Sequence, residues 1–185
     1  MRHASQHLLG PGFRAVPASA TVSAVLLRGQ VLRHWADIAA RGTRNCAGAV
    51  TPAHVHAQPL LETGVIKRVS EAFEVFHFNF ALVPGPEGRR KTAVVTLTDP
   101  GPVDGILLWW ECCMSSDDSN DAASDPPVLS TAPSGVYRRD HWRQAIHTRM
   151  SNSAAIRAQL ASAGLARGCR LVIDMLHNDD DISLV

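Results

Sequence analysis

The sequence predicts a mainly β chain folded as an antiparallel β-barrel or sandwich, with a short helix end at the N-terminus and one short surface helix. Three observations carry that expectation. Short segments rich in β-branched and aromatic residues recur at roughly regular spacing, few helical segments stand between them, and Pro/Gly clusters able to reverse the chain separate them. A parallel, doubly wound sheet would need helical crossovers between its strands.

The elements follow in order. His3 to Leu9 has helical composition and stops at Gly10-Pro11-Gly12, a break that an α-helix does not cross. Ala20 to Leu27 (ATVSAVLL) and Phe73 to Phe80 (FEVFHFNF) read as strands, and Phe76, Phe78 and Phe80 alternate in the second. Pro84 to Lys91 (PGPEGRRK) combines breakers with a basic end and reads as a solvated loop. Thr92 to Thr98 and Val103 to Glu111 are two further strands. The intervening Asp99-Pro100-Gly101-Pro102 supplies a reversal, which predicts an adjacent antiparallel pair. Ser115 to Pro127 (SSDDSNDAASDPP) offers no apolar area to bury and reads as a disordered acidic loop. Ser153 to Ala163 is alanine-rich, with Ile156 and Leu160 four apart and a stop at Gly164, as in a surface helix. Cys169 to Leu176 is another strand. Ile182 to Val185 begins one more, so the barrel is expected to be incomplete at its C-terminal end.

Composition bounds the function. A chain of 185 residues with 45% hydrophobic content can bury one core, and Lys+Arg 18 against Asp+Glu 17 leaves a formal charge of +1. That balance argues against a broad basic surface for nucleic acid or acidic membranes. The longest apolar run falls well short of the roughly 20 residues of a membrane span, and Met1-Arg-His-Ala-Ser-Gln-His lacks a signal-peptide core. Cys46, Cys112, Cys113 and Cys169 show no C-x-x-C spacing and fit reduced thiols. A zinc site from Cys169, His177 and Asp179 matches no usual ligand pattern, so no metal is expected. Nor does a Gly-rich phosphate-binding motif occur, since Gly85, Gly88, Gly101 and Gly105 do not stand between a strand and a helix.

The most informative stretch is aromatic. Leu107-Leu-Trp-Trp-Glu111 is followed, after the acidic loop, by Tyr137-Arg-Arg-Asp-His-Trp-Arg-Gln144. Aromatic rings beside an aspartate and a histidine can line a pocket for a cation. Trp109 and Trp110 alternate across their strand, which sends one to the core and the other to an interface. His54, His56, His77 and His147 read as exposed or satisfied histidines, and Arg89 to Lys91 as solvated.

These residues resemble a known family. His7 to Val22 (HLLGPGFRAVPASATV) is similar to the passage in protein arginine methyltransferases from the last helix of the cofactor domain into a β-barrel. Phe73 to Phe80, Leu107 to Glu111, Ser130-Thr-Ala-Pro-Ser134 before Asp140-His-Trp142, and Leu176 to Leu184 resemble barrel segments of that family, most like the first module of its two-module, monomethylating branch (type III). The stretch Ala36 to Leu60 is the weakest part: the family inserts a dimerisation arm there, and this sequence offers a short, unremarkable link.

The resemblance implies a domain plan and a site. Residues 1–12 would end the last helix of a cofactor domain not present in this chain, and 13–185 would form the substrate-side barrel. In the family, a Thr-His-Trp loop closes one wall of the substrate-arginine pocket. Asp140, His141 and Trp142 match it, with aspartate in the threonine position, and are the expected substrate-binding residues. A carboxylate beside an indole can hydrogen-bond and help neutralise a guanidinium. Glu62 and Glu71 share the nine-residue separation of the family's two catalytic glutamates but lack its intervening residues and lie after the barrel has begun, so no catalytic residue is assigned. S-adenosyl-L-methionine is the implied cofactor, held by the absent domain, and the isolated chain is expected to be inactive. The implied partners are arginine-containing proteins such as histones and RNA-binding proteins, and the remainder of the chain's own full-length protein, with no direct nucleic acid or membrane contact. The implied localisation is cytoplasmic and nuclear. The acidic run Asp117 to Asp125 could dock arginine-rich substrates. A reading of another class stays open: a non-catalytic β-barrel module that binds arginine-rich peptides or another protein.

Overall fold

A computed structural model describes residues 10, 13–42, 53–82, 88–115, 128–133, 142–148, 165–177 and 182–184. The expected N-terminal helix end, the surface helix Ser153 to Ala163 and most of the acidic loop lie outside them.

All strand pairings among the described residues are antiparallel. The centre is a long pair, β1 (Ser19–Arg28) against β6 (Gly105–Cys113), in register from Ser19↔Cys113 to Leu27↔Gly105. Each outer edge of this pair is shared by two partners. β1 meets β4 (Phe73–Asn79) along its first part and β3 (Lys67–Arg68) at its end. β6 meets β8 (Gln144–His147) along its first part and β7 (Val128–Ser130) at its end. With β2 (Ala53–Val55) on β8, this makes a seven-stranded sheet. A second sheet has the order β10-β9-β5, from β5 (Arg89–Thr96), β9 (Arg170–His177) and β10 (Ile182–Leu184). A bridge between Ser70 and Leu97, and a bond from Thr98 N–H to the Val69 carbonyl (2.9 Å), join the two sheets into a curled half-barrel.

A bulge shapes the aromatic strand. The register jumps from Val22↔Phe76 to Ser23↔Glu74, leaving Val75 as an extra residue. Both Val75 and Phe76 are therefore buried, where strict alternation would expose one of them.

Two helices are described, and each overlaps one end of the stretch Ala36 to Leu60 expected to be a plain link. The first, α1 (Gln30–Gly42), follows β1 after Gly29, and its Leu32 is fully buried. Val31, Leu32, Trp35 and Ile38 have helical spacing, so the helix is written in the sequence. The second, α2 (Ala57–Glu62), carries Pro59 in its first turn, where the missing N–H costs nothing. It ends at Gly64, whose φ of 71° suits a residue without Cβ. Neither helix is long and apolar enough to cross a membrane.

The helices explain why the central strands are apolar on both faces. Ala24, Leu26, Ile106 and Leu108 face the interior of the half-barrel with Val75, Phe76, Val95, Ile173 and Met175. Val25, Leu27, Leu107 and Ile146 face Leu32 and Ala57 of the helices.

The expected hairpin across Asp99 to Pro102 does not form. β5 pairs with β9 in one sheet, and β6 pairs with β1 in the other. The turn instead passes between sheets: Arg28 donates to Asp99 and to the Pro100 carbonyl, and Gly101 N–H donates to the Leu165 carbonyl (2.8 Å). The basic end of the expected loop, Arg89 to Lys91, is the start of β5. Arg89 lies 4.5 Å from the ring centroid of Phe78 and 5.2 Å from that of Phe76, while Arg90 pairs with Asp174 (2.6 Å) and Lys91 with Glu74 (2.8 Å).

Candidate functional site: the tryptophan junction

β6 changes partner in its middle. β8 ends its pairing at Leu108 and β7 begins at Glu111, so Trp109 and Trp110 fall at the exchange. Trp109 packs on the helix-side core. Trp110 points to the other face and meets Trp142, with ring centroids 4.9 Å apart and planes tilted by 49°. Both rings of that pair are half-buried. Of the two strand tryptophans, expected one at the core and one at an interface, Trp109 is the core one and Trp110 joins Trp142, one of the three expected site residues. Asp140 and His141 lie outside the described residues.

Buried polar groups set this pair in place. Fully buried Thr131 grips the Trp110 backbone at both ends: its Oγ1 accepts from Trp110 N–H (3.0 Å) and donates to the Trp110 carbonyl (3.0 Å), which also accepts from Thr131 N–H (3.0 Å). Gln144, 1% exposed, spans the space behind: its Oε1 accepts from Ala57 N–H (2.9 Å) and its Nε2 donates to the Thr131 carbonyl (2.7 Å). α2 has no side-chain cap from His56, so Gln144 supplies the acceptor for its first N–H from another strand. Beside Trp110, Glu111 accepts from the Ser130 hydroxyl (2.8 Å), and that hydroxyl oxygen accepts from Ala132 N–H (3.1 Å).

Sequence reasoning missed Gln144, Thr131 and the Glu111–Ser130 pair. A buried glutamine shows no periodic signal, and Ser130 and Thr131 were noted only as part of a stretch resembling a barrel segment, with no role for their hydroxyls. Cys112, next along β6, carries a thiol whose pKa is raised by burial, which disfavours the nucleophilic thiolate. The junction thus offers two half-buried indole surfaces, while the carboxylate of the next strand residue, Glu111, turns to Ser130. An indole face is a surface for a flat cation.

The other candidates separate in space. Glu62 ends α2, exposed and bonded to Gln58 (2.5 Å), and Glu71 is exposed in the segment before β4. Cys169 immediately precedes β9 and His177 ends it, and at roughly 3.3 Å per residue along a strand the two are too far apart to share one ion. Asp179 is outside the described residues. His77 bonds Thr21 Oγ1 through Nδ1 (3.0 Å), and His54 is exposed.

The chain also meets a test for the implied cofactor. Gly29 does stand between a strand and a helix, yet a Cβ there would lie 2.8 Å from the Val65 carbonyl, so the turn is filled by the protein itself. The N-terminus of α1 already has its anion, because Gly29 N–H donates to buried Asp104 Oδ2 (2.8 Å). These residues do not fit S-adenosyl-L-methionine.

Comparison with known proteins places the architecture. No family model matches the chain. It is 25% identical over 156 residues to protein arginine N-methyltransferase 7 of Danio rerio, an alignment covering 78% of this chain. Its backbone matches the crystal structure of PRMT6 with a TM-score of 0.55 at 16% identity, over 91% of this chain and 54% of that one. The chain is similar to protein arginine methyltransferases in sequence and in backbone. The Arabidopsis thaliana protein arginine methyltransferase 10 gives a TM-score of 0.56 at 13% identity, over 94% of this chain and 53% of that one. The Trypanosoma brucei PRMT1 enzyme–prozyme heterotetramer with AdoHcy gives 0.57 at 12%, over 93% and 50%. The chain has the mainly β, half-barrel fold of the β-barrel part of those structures, and its match spans only 23% of the length of the Danio rerio protein.

Proposed function

We propose that the chain is the β-barrel portion of an S-adenosyl-L-methionine-dependent protein arginine N-methyltransferase and forms the substrate-arginine side of its active site. The observation that carries this reading is the joint match to arginine methyltransferases in sequence and in backbone, over most of this chain and only part of theirs. Asp140, His141 and Trp142 form the wall that receives the guanidinium, with Trp142 backed by Trp110. Residues 1–12 end the last helix of the cofactor domain, and that domain supplies the methyl donor and the catalytic glutamates.

The physical division of labour follows. Methyl transfer requires sulfonium and guanidinium nitrogen held in line, and such positioning contributes about 7–11 kcal/mol in well-oriented systems. A barrel wall fixes only one of the two reactants. The 185-residue chain alone therefore binds no S-adenosyl-L-methionine and transfers no methyl group. Calorimetric titration with the cofactor checks this, and micromolar binding would overturn it. In the longer enzyme, Trp142→Ala lowers turnover on an arginine-rich peptide by roughly ten- to a hundredfold, in the range of a lost positioning contact, with cofactor affinity unchanged. Unchanged turnover would remove Trp142 from the substrate wall.

A further inference from the structure

We infer that Gln144 is a positioning residue for Trp142, and that through it the first turn of α2 is coupled to the indole pair. The observation is a closed circuit of contacts. Gln144 Nε2 donates to the Thr131 carbonyl, Thr131 holds the backbone of Trp110 on both its N–H and its carbonyl, the Trp110 ring packs against the tilted ring of Trp142, and Trp142 leads back through Arg143 to Gln144. Every link but the ring contact is a hydrogen bond or the chain itself.

The circuit sits where the sheet is weakest. Between Leu108 and Glu111 the outer edge of β6 belongs to neither β8 nor β7, and Trp142 lies just before β8. In that gap the backbone bond from Thr131 N–H to the Trp110 carbonyl is joined by the two bonds of the Thr131 hydroxyl. Thr131 and Gln144 are both almost wholly buried, and a buried carboxamide has to satisfy its donor and its acceptor at once. It does so only when α2, the end of β7 and the start of β8 stand in one arrangement. Ala57 N–H has no other capping side chain, so a shift of α2 is felt at the carboxamide and hence at Thr131 and Trp110. Gln144 touches no part of the proposed arginine pocket in this scheme. It acts on Trp142 through Thr131 and Trp110, and the inference concerns the substrate wall only in so far as the proposed function holds.

Two indoles in close contact and tilted to one another, as here, give an exciton couplet in far-ultraviolet circular dichroism, which depends on their geometry. Trp142→Phe in the 185-residue chain defines the share of the couplet that belongs to this pair. Gln144→Leu is expected to abolish that share while the chain still unfolds in one cooperative transition, and to speed amide exchange of Ala57 by about five- to 150-fold, the range that loss of a buried bond of about 1–3 kcal/mol gives. Gln144→Glu keeps the acceptor for Ala57 and loses the donor to Thr131. It should reduce the couplet yet leave Ala57 protected, and it replaces Gln144→Leu should that variant fail to fold. A wild-type couplet in either folded variant overturns the inference, since Gln144 would then serve stability alone. The proposed function fails separately, by unchanged turnover of Trp142→Ala in the longer enzyme, a result that leaves the couplet untouched.

Discussion

The two sheets handle burial in different ways. In the central pair of the first sheet, Ala24 to Leu27 and Gly105 to Leu108 are each buried at four consecutive positions, because one face meets the half-barrel interior and the other meets α1 and α2. In the second sheet, β5 and β9 alternate: Val95, Ile173 and Met175 point inward, while their neighbours Val94 and Val172 are 51% and 68% exposed. An unbroken apolar run in an antiparallel strand therefore signals cover on both faces. Alternation signals a single covered face.

Leu107→Ala is the strongest way to break this comparison. Leu107 is fully buried on the helix side of β6, so the change removes packing in the layer that the second sheet lacks. The expected cost is about 2–5 kcal/mol. Val172→Ala on the outer face of β9 is expected to stay within about 0.5 kcal/mol. Urea denaturation of both variants decides it, and equal losses would mean that the helical layer contributes no more than solvent does. Next in size is Gly29→Ala. Its Cβ would lie 2.8 Å from the Val65 carbonyl and 3.0 Å from Ile66 Cγ2, which forces the β1–α1 joint apart at about 1–3 kcal/mol. An unaltered denaturation midpoint would show that the joint can yield.

This contrast also explains what could be read from the sequence. β1, β4, β9 and β10 were legible because β-branched and aromatic runs bounded by turn residues need no tertiary partner to be recognised. The pairing of β5 with β6 was not: Asp99 to Pro102 has the chemistry of a hairpin, yet Arg28 and Leu165 draw it across to the other sheet. α1 was available from Val31, Leu32, Trp35 and Ile38, and a second clue lay in the two-faced runs of β1 and β6, which demand a covering layer. α2 was hidden by Pro59, since a breaker inside a first turn looks the same as one in a loop. At the site, Trp142 was singled out by its neighbours in sequence. Gln144 and Thr131 could not be, because their importance comes from burial and from bonds to Ala57 and Trp110, residues far from them in the chain.

The smallest expected effect lies on the exposed face of the second sheet. There Asp174 accepts from the Thr92 hydroxyl (2.6 Å) and from the Arg90 guanidinium (2.6 Å), and these bonds hold its carboxyl below the ordinary aspartate range. A carboxyl depressed in the folded state contributes stability that is present above its unfolded pKa. That stability is lost as the pH falls through the lower folded value. Because the group is solvated, the pair is screened and its contribution shrinks further with salt. The direct check is a carboxyl titration by NMR. Asp174 should titrate below a disordered aspartate, and Thr92→Val together with Arg90→Gln should return it to the ordinary range, while the urea midpoint near neutral pH hardly moves. A clear loss of stability in that double variant would mean that the outer face of β5 and β9 is held by its polar network, and the one-sided account of the second sheet would need to be replaced.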